Sequence, residues 1–500
     1  MKKPFCLILS TLLLVAVSAC GNQPQPEPAP SLPDTAEKVL DFYAVNDFHG
    51  SILERKNGNY YEGGLAKVGG FLKDKKEEKP SSTFLISSGD MWQGSLESND
   101  NYGNLITEAM NVIGFDSMTL GNHEFDYGVS RIEANKQIAN FPFLAGNIMM
   151  WQNGKASTNP WNVAQASTVI ERGKHRVGII GMIGQGQTSS ITAKNVKDLA
   201  FVDPMPLAKA ESERLKKQEN CDTVILSVHN AVKTVTAYSD LKQHFDAVFC
   251  AHSHQEEKKM TVDGVPLLQG ACNGEMVSHI QLTYDQTGKS VCTAYENIKA
   301  SADWSENARI LSVQNKYIGT DAFVAKSTEV LTNLTGYLDK DGVARLGAKS
   351  IYEAFSPMYP NLCCAMENGQ RATLNPGPVT YSDLYKATPF TNKIVIANVT
   401  GKDIKRESGY NSTYTGDTAR FGKIDDDTYY TIAVIDYLLY HQDTSKQYDY
   451  FMSLNGHESN IITEFDEYPV DLSAEYLKTL GGSVSYLDFA SNAPGYNLYI

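Results

Sequence analysis

The stretch Leu40-Asp41-Phe42-Tyr43-Ala44-Val45, followed at once by Asn46-Asp47-Phe48-His49, decides how the chain is read. A short apolar run that stops at polar, metal-capable side chains is the pattern of a buried strand whose carboxyl end opens onto a site. The same pattern recurs along the chain. Phe84 to Ile86 leads into Ser88-Gly89-Asp90, and Met118 to Leu120 into Gly121-Asn122-His123-Glu124. Thr223 to Val228 leads into His229-Asn230, and Ala247 to Ala251 into His252-Ser253-His254. Phe141 to Leu144 and Val177 to Ile183 are two further runs with the same bounded edges. Longer polar-faced segments such as Ala208 to Glu219 lie between the runs and suit helices on the sheet faces. The expected class is α/β.

The polar residues after these strands carry the chemistry. Asp47 and His49 are two residues apart, as are His252 and His254, and on extended segments the members of each pair leave on one face. Asp90 is a carboxylate whose two oxygens can span two cations roughly 3.5–4 Å apart. Asn122 adds a neutral carbonyl oxygen and His229 an imidazole. A lone His or a single D-x-H is ordinary in any chain, whereas an ordered series at five strand ends is not scatter. Mixed imidazole, carboxylate and carbonyl donors suit two divalent ions of zinc, manganese or iron rather than calcium or copper. His175, His244, His279, His441 and His457 lack such placement and read as structural or surface residues. Asp339-Lys340-Asp341-Gly342 starts like a calcium loop but lacks the remaining ligands, and reads as a polar turn.

Taken in order, DFHG, GDMWQGS, GNHEFD, VHN and AHSH resemble the calcineurin-like metallophosphoesterases, and in particular the exported 5′-nucleotidase family. That resemblance runs from about Phe42 to Gly274 and implies an N-terminal α/β/β/α sandwich. It also implies that Asp47, His49, Asp90 and His254 hold one metal, and that Asp90, Asn122, His229 and His252 hold the other. His123 corresponds to the family's catalytic histidine, with Asp126 orienting it. Two cations then make a shared water acidic enough to attack phosphorus, so no Ser or Cys nucleophile is needed.

Around residues 302–326 the pattern changes to one amphipathic stretch carrying Ile310, Leu311, Val313, Tyr317 and Ile318, and a Thr-, Tyr- and Asn-rich region follows. The resemblance implies a C-terminal α+β 5′-nucleotidase-type domain for substrate binding. Asn368-Gly369-Gln370-Arg371 is similar to a shortened version of the family's NGG-x-R loop, which assigns Asn368 and Arg371 to the substrate. Pro389, Phe390 and Asn392 match its PFGN turn. The glycine-rich turn that carries the family's second clamping aromatic is missing. Gln447-Tyr448-Asp449-Tyr450-Phe451 stands there instead, making Phe451 the nearest equivalent. Tyr410 or Tyr414 would be its upstream partner. Either the clamp is rebuilt from other residues, or the substrate is not a standard nucleotide.

The first residues read as an address. Lys2 and Lys3 precede an apolar run from Phe5 to Val17, and the ending Val17-Ser18-Ala19-Cys20 resembles a bacterial lipobox, implying cleavage and lipidation at Cys20. Gln23 to Pro33 carries five prolines among polar residues and reads as a tether. The expected organisation is a signal at 1–19, lipidated Cys and tether at 20–37, catalytic domain at 38–301, linker helix at 302–326 and substrate-binding domain at 327–500. With Cys6 in the signal and Cys20 in the anchor, six of the eight cysteines remain, and Cys272 with Cys292 is the expected pair because a 20-residue loop closes easily. The 500 residues carry a formal charge of −14, which excludes a bulk electrostatic binder of nucleic-acid polymers.

The expected activity is therefore an exported, lipid-anchored, monomeric phosphohydrolase acting on nucleotides. Alternatives with the same chemistry are a 2′,3′-cyclic-nucleotide phosphodiesterase, a UDP-sugar hydrolase or a hydrolase of another small phosphoester. A relative of the fold acting on sulfur compounds, and a nonenzymatic surface nucleotide binder, stand further off.

Overall fold

The computed structural model describes residues 39–57, 60–416, 422–443 and 445–496. The signal, Cys20 and the tether lie outside the described residues. Among the described residues no helix is long and apolar enough to cross a membrane.

Two six-stranded sheets form the catalytic half. The first runs in the order Ser290–Lys299, Met276–Tyr284, Val39–Val45, Thr83–Ser87, Ser117–Thr119, Phe143–Leu144. The second runs Glu256–Met260, Pro266–Gly270, Ala247–Phe249, Thr223–His229, His175–Ile183, Ser167–Arg172. Side-chain alternation explains how they stack. Leu40, Phe42 and Ala44 join Ile179, Ile225 and Phe249 in the layer between the sheets. Tyr43 and Val45 face the opposite way, against helices carrying Leu65, Leu72, Leu105 and Met110. On the other side, Ile180, Val224 and Leu226 face Met205, Ala208 and Leu215 of the helix Pro204–Lys217. Both faces of the central strands are covered, so their sequences are nearly continuous apolar runs rather than alternating ones.

The central strands are parallel within each sheet, so their carboxyl ends gather at one edge of the sandwich. Small residues draw the two sheets together there. A Cβ on Gly181 would lie 2.1 Å from Leu144 Cβ of the other sheet. Thr119 Oγ1 donates to Ser227 Oγ at 2.7 Å, and Ser88 and Ser227 hydroxyls pair at 3.0 Å. Loops from both sheets therefore reach a common space.

The amphipathic stretch at 302–326 is two helices rather than one, Ala308–Ile318 and Asp321–Thr328, parted at Gly319 and Thr320, where Thr320 caps the second. The second domain is a five-stranded sheet, Ser412–Tyr414, Leu362–Glu367, Tyr429–Ile435, Ile394–Thr400, Ile461–Phe465. The helix Lys340–Phe355 packs on this sheet. Asp339, read as a polar turn, is the N-cap of that helix and accepts from Gly342 N at 2.7 Å.

All six described cysteines are free thiols, which overturns the Cys272–Cys292 pairing. The hairpin explains why. Cys292 lies opposite Leu282, whereas Cys272 precedes the strand Met276–Tyr284, so six strand residues, roughly 20 Å, separate the two ends.

Candidate active site

The predicted ligands converge in two groups, Asp47, His49 and His254, and Asp90, His229 and His252, with the ligand atoms of each within 4.8 Å of one another. In the first, His49 Nε2 and His254 Nε2 face each other at 2.9 Å, with Asp47 Oδ1 3.8 Å from His254 Nε2. In the second, Asp90 Oδ2 lies 3.2 Å from His229 Nε2. Asn122 Oδ1 sits 3.1 Å from His229 Nε2 and 3.0 Å from His252 Nδ1. His252 and His254 thus part company, one to each group.

The backbone reaches this arrangement by a route the spacing did not suggest. Asp47, His49, Asp90, His252 and His254 all have left-handed φ, at 48°, 50°, 55°, 76° and 57°. The two D-x-H and H-x-H pairs are therefore tight loops, not extended segments, and strand alternation is not what brings their side chains inward. Each left-handed non-glycine residue costs about 1 kcal/mol or more, and such strain persists where surrounding contacts over-determine it.

Glu124 supplies much of that determination, and the strand-end pattern did not single it out. Its fully buried carboxylate accepts backbone N–H groups from Gly121 at 2.7 Å, Asp90 at 2.9 Å and Met91 at 2.8 Å. Burial and the nearby charge of Asp90 push Glu124 up to about 7, against the pull of those N–H donors. Gly121 completes the packing, since a Cβ there would sit 2.2 Å from Asp90 Oδ1. The signal for Glu124 was its place in GNHEFD, three residues past Gly121 in a 3₁₀ turn, but which N–H groups it caps is a tertiary fact.

The donor set fits divalent cations. A carbonyl only accepts, so His49 Nδ1 donates to Gln93 O and His229 Nδ1 to Ser88 O, both at 2.9 Å. That turns both Nε2 atoms into the site. Asp90 Oδ2 is buried without a hydrogen-bond donor. Burial lowers His252 and His254 to about 4, and His49 well below its ordinary value, keeping these imidazoles neutral. His229 behaves differently: burial opposes its charge, yet Asp90 beside it raises it to about 9, a proton that a bound cation displaces.

His123 stands at the edge of this cluster. Its Nδ1 is 2.7 Å from Asp126 Oδ2, and its backbone N–H donates to Asp90 Oδ1 at 2.8 Å. From the second domain, Arg371 Nη2 reaches His123 Nε2 at 2.8 Å. Arg371 and Asn368 are thus at the site, Asn368 on its wall. A cleft of about 610 Å³ extends from Asp90 and His123 between the domains, lined further by Tyr102, Lys194, Phe390, Asn392, Tyr437 and Tyr468.

Phe451 is not in that cleft. It is wholly buried in the second domain's core, just before the 3₁₀ turn Met452–Leu454, because the segment replacing the missing glycine turn folds down onto the sheet. Tyr410 is exposed and Tyr414 packs against Tyr352 and Tyr496. The second domain's aromatics on the cleft wall are Phe390, Tyr437 and Tyr468 instead. Other histidines have structural partners: His279 stacks on Tyr43 and bonds Asp41 at 2.9 Å, and His175 stacks on Tyr284.

Known families match both halves. The model for calcineurin-like phosphoesterases covers residues 40–256, and that for the 5′-nucleotidase C-terminal domain covers residues 321–407. The chain is a phosphoesterase of the 5′-nucleotidase family. Among curated relatives of this 5′-nucleotidase-family chain, Endonuclease YhcR of Bacillus subtilis (strain 168) is 25% identical over 401 residues, covering 73% of the chain and 32% of that protein. The chain therefore spans about a third of that relative. Apyrase of Tabanus yao is 24% identical over 441 residues, covering 80% of the chain and 77% of the relative. Among solved structures, a 5′-nucleotidase precursor from Thermus thermophilus shares the fold with a TM-score of 0.71 at 19% identity, over 89% of this chain and 97% of that one.

Proposed function

We propose that the protein removes phosphate from nucleotides outside the cytoplasm, using two divalent ions of zinc, manganese or iron and anchored to the cell envelope through a lipid on Cys20. One observation carries the substrate assignment: a single cleft joins the two ligand groups, His123 and Arg371 to an aromatic-walled chamber of about 610 Å³, within the range that encloses small organic ligands.

Asp47, His49, Asp90, Asn122, His229, His252 and His254 would hold the cations. When bound, these supply an activated water and neutralise charge on the phosphoryl oxygens. The chain's own groups do the rest. Arg371 offers a planar fork of donors to a phosphate oxygen. Asp126 fixes the His123 ring through Nδ1, which turns Nε2 toward the cleft, placed to pass a proton to the departing oxygen. Phe390 lies with its ring centroid 5.9 Å from that of His123, placed to stack on the group beyond the phosphate, a contact every nucleobase can make. Asn368 and Asn392 add amide groups beside it.

The test is phosphate release from nucleoside monophosphates, diphosphates, 2′,3′-cyclic phosphates and UDP-glucose with manganese or zinc present. Strong release from nucleoside 5′-monophosphates is expected, and none from any nucleotide would refute the proposal. The shortened Asn368–Arg371 loop and the absent glycine turn favour a second reading, cyclic nucleotides or UDP-sugars, which the same panel separates. For the anchor, Cys20→Ser is expected to move the protein from membrane to soluble fractions. An unchanged distribution would rule the lipid out.

A further inference from the structure

Arg371 is a half-buried cation without a carboxylate partner within ion-pair distance among the described residues, and its buried Nε has no acceptor. Its guanidinium hydrogen bonds go to two groups of the other domain, His123 Nε2 at 2.8 Å and the neutral amide Gln93 Oε1 at 3.2 Å. Gln93 is fully buried three residues after Asp90. Its own carbonyl accepts from His49 Nδ1 at 2.9 Å, and its Nε2 donates to Pro389 O at 3.1 Å. Asn99, at the end of the short helix Leu96–Asn99, also donates to Pro389 O, at 2.8 Å. One glutamine therefore touches a metal ligand, the arginine and the turn that carries Phe390.

We propose that Gln93 is a positioning residue that aligns Arg371 and the Phe390 turn of the second domain with the metal cluster, and that its neutrality matters as much as its reach. This inference rests on the reading of Arg371 as the phosphate grip. An amide oxygen orients a guanidinium without cancelling its charge, leaving that charge for the substrate. A carboxylate at the same place would form a charge-assisted, bidentate pair and withdraw Arg371 from the anion.

Two variants separate orientation from packing. Gln93→Met keeps the volume and removes both amide bonds, whereas Gln93→Glu keeps an acceptor and adds charge. Each is loaded with manganese, checked for two ions per chain, and titrated calorimetrically with inorganic phosphate, alongside KM and kcat for a phosphate monoester. Losing a hydrogen bond to a charged group predicts about tenfold weaker phosphate binding and higher KM for Gln93→Met. Gln93→Glu is expected to lose more, although its contact to Arg371 is stronger and its thermal midpoint is no lower than that of Gln93→Met. Wild-type phosphate affinity in the glutamate variant, or equal losses in both tracking lost metal, would overturn the proposal. Inorganic phosphate reads the grip directly, so failure of the nucleotide assignment shows separately, as a wild-type protein that binds phosphate but cleaves no nucleotide.

Discussion

Replacing His123 with alanine is expected to lower kcat by about 10²–10⁴-fold, the contribution of a positioned proton donor, or roughly 3–5 kcal/mol of transition-state stabilisation. The metal content should stay at two ions per chain. The reason lies in how the residue is held. His123 contributes its backbone N–H to Asp90 Oδ1 and its ring to Asp126 and Arg371, but its ring belongs to neither candidate ligand group. Alanine keeps the backbone bond and removes only the ring. Asp126→Asn should share part of the loss, since Asp126 Oδ2 is what holds the ring in place through Nδ1. Elemental analysis paired with turnover decides the matter: unchanged turnover in a metal-replete His123→Ala protein would remove this residue from the mechanism.

The second large effect belongs to Asp90. Its Oδ1 accepts from His123 N at 2.8 Å while its buried Oδ2 faces His229 Nε2 at 3.2 Å, and the expected role of this carboxylate is to be shared by the two cations. Asp90→Ala is expected to bind at most one cation per chain and to lose more than about 10³-fold in turnover. It should also unfold more readily, because removing one member of a buried ionic pair leaves the other unpaired, at about 3–5 kcal/mol. Asp90→Asn keeps the shape and one acceptor, so it should recover stability but not the second ion. Calorimetric titration with manganese that finds two sites of wild-type affinity in the alanine variant would show that Asp90 does not bridge.

Much of this was legible before any coordinates. Strands whose carboxyl ends carry Asp47, Asp90, Asn122, His229 and His252 announce themselves because both of their faces are buried, which makes their sequences uniformly apolar and sharply ended. The antiparallel strands Met276–Tyr284 and Ser290–Lys299 escaped notice because both mix polar and apolar residues, the first around the buried Ser278-His279 and the half-exposed second as in Ser290-Val291-Cys292-Thr293. Left-handed loops were misread as extended, since residue spacing of two fits either conformation and only neighbouring contacts choose. Phe451 was misplaced for a related reason: an aromatic in an unaligned segment carries no mark of whether it points to a cleft or a core. Glu124 and Gln93 lay inside recognised motifs, yet their partners are backbone groups and a distant arginine, which no local pattern encodes.

The cleft's two walls come from opposite ends of the polypeptide, and this divides how the protein can change. Residues numbered below about 300 supply both ligand groups and His123, and Phe390, Asn392, Tyr437 and Tyr468 line the cleft from the later half, with Arg371 reaching across to His123. A lineage can therefore trade one leaving group for another by redrawing the aromatic wall in the later half of its gene, provided that Arg371 is kept. Gln93 is the hinge of that arrangement, the early residue that any new partner domain must still satisfy.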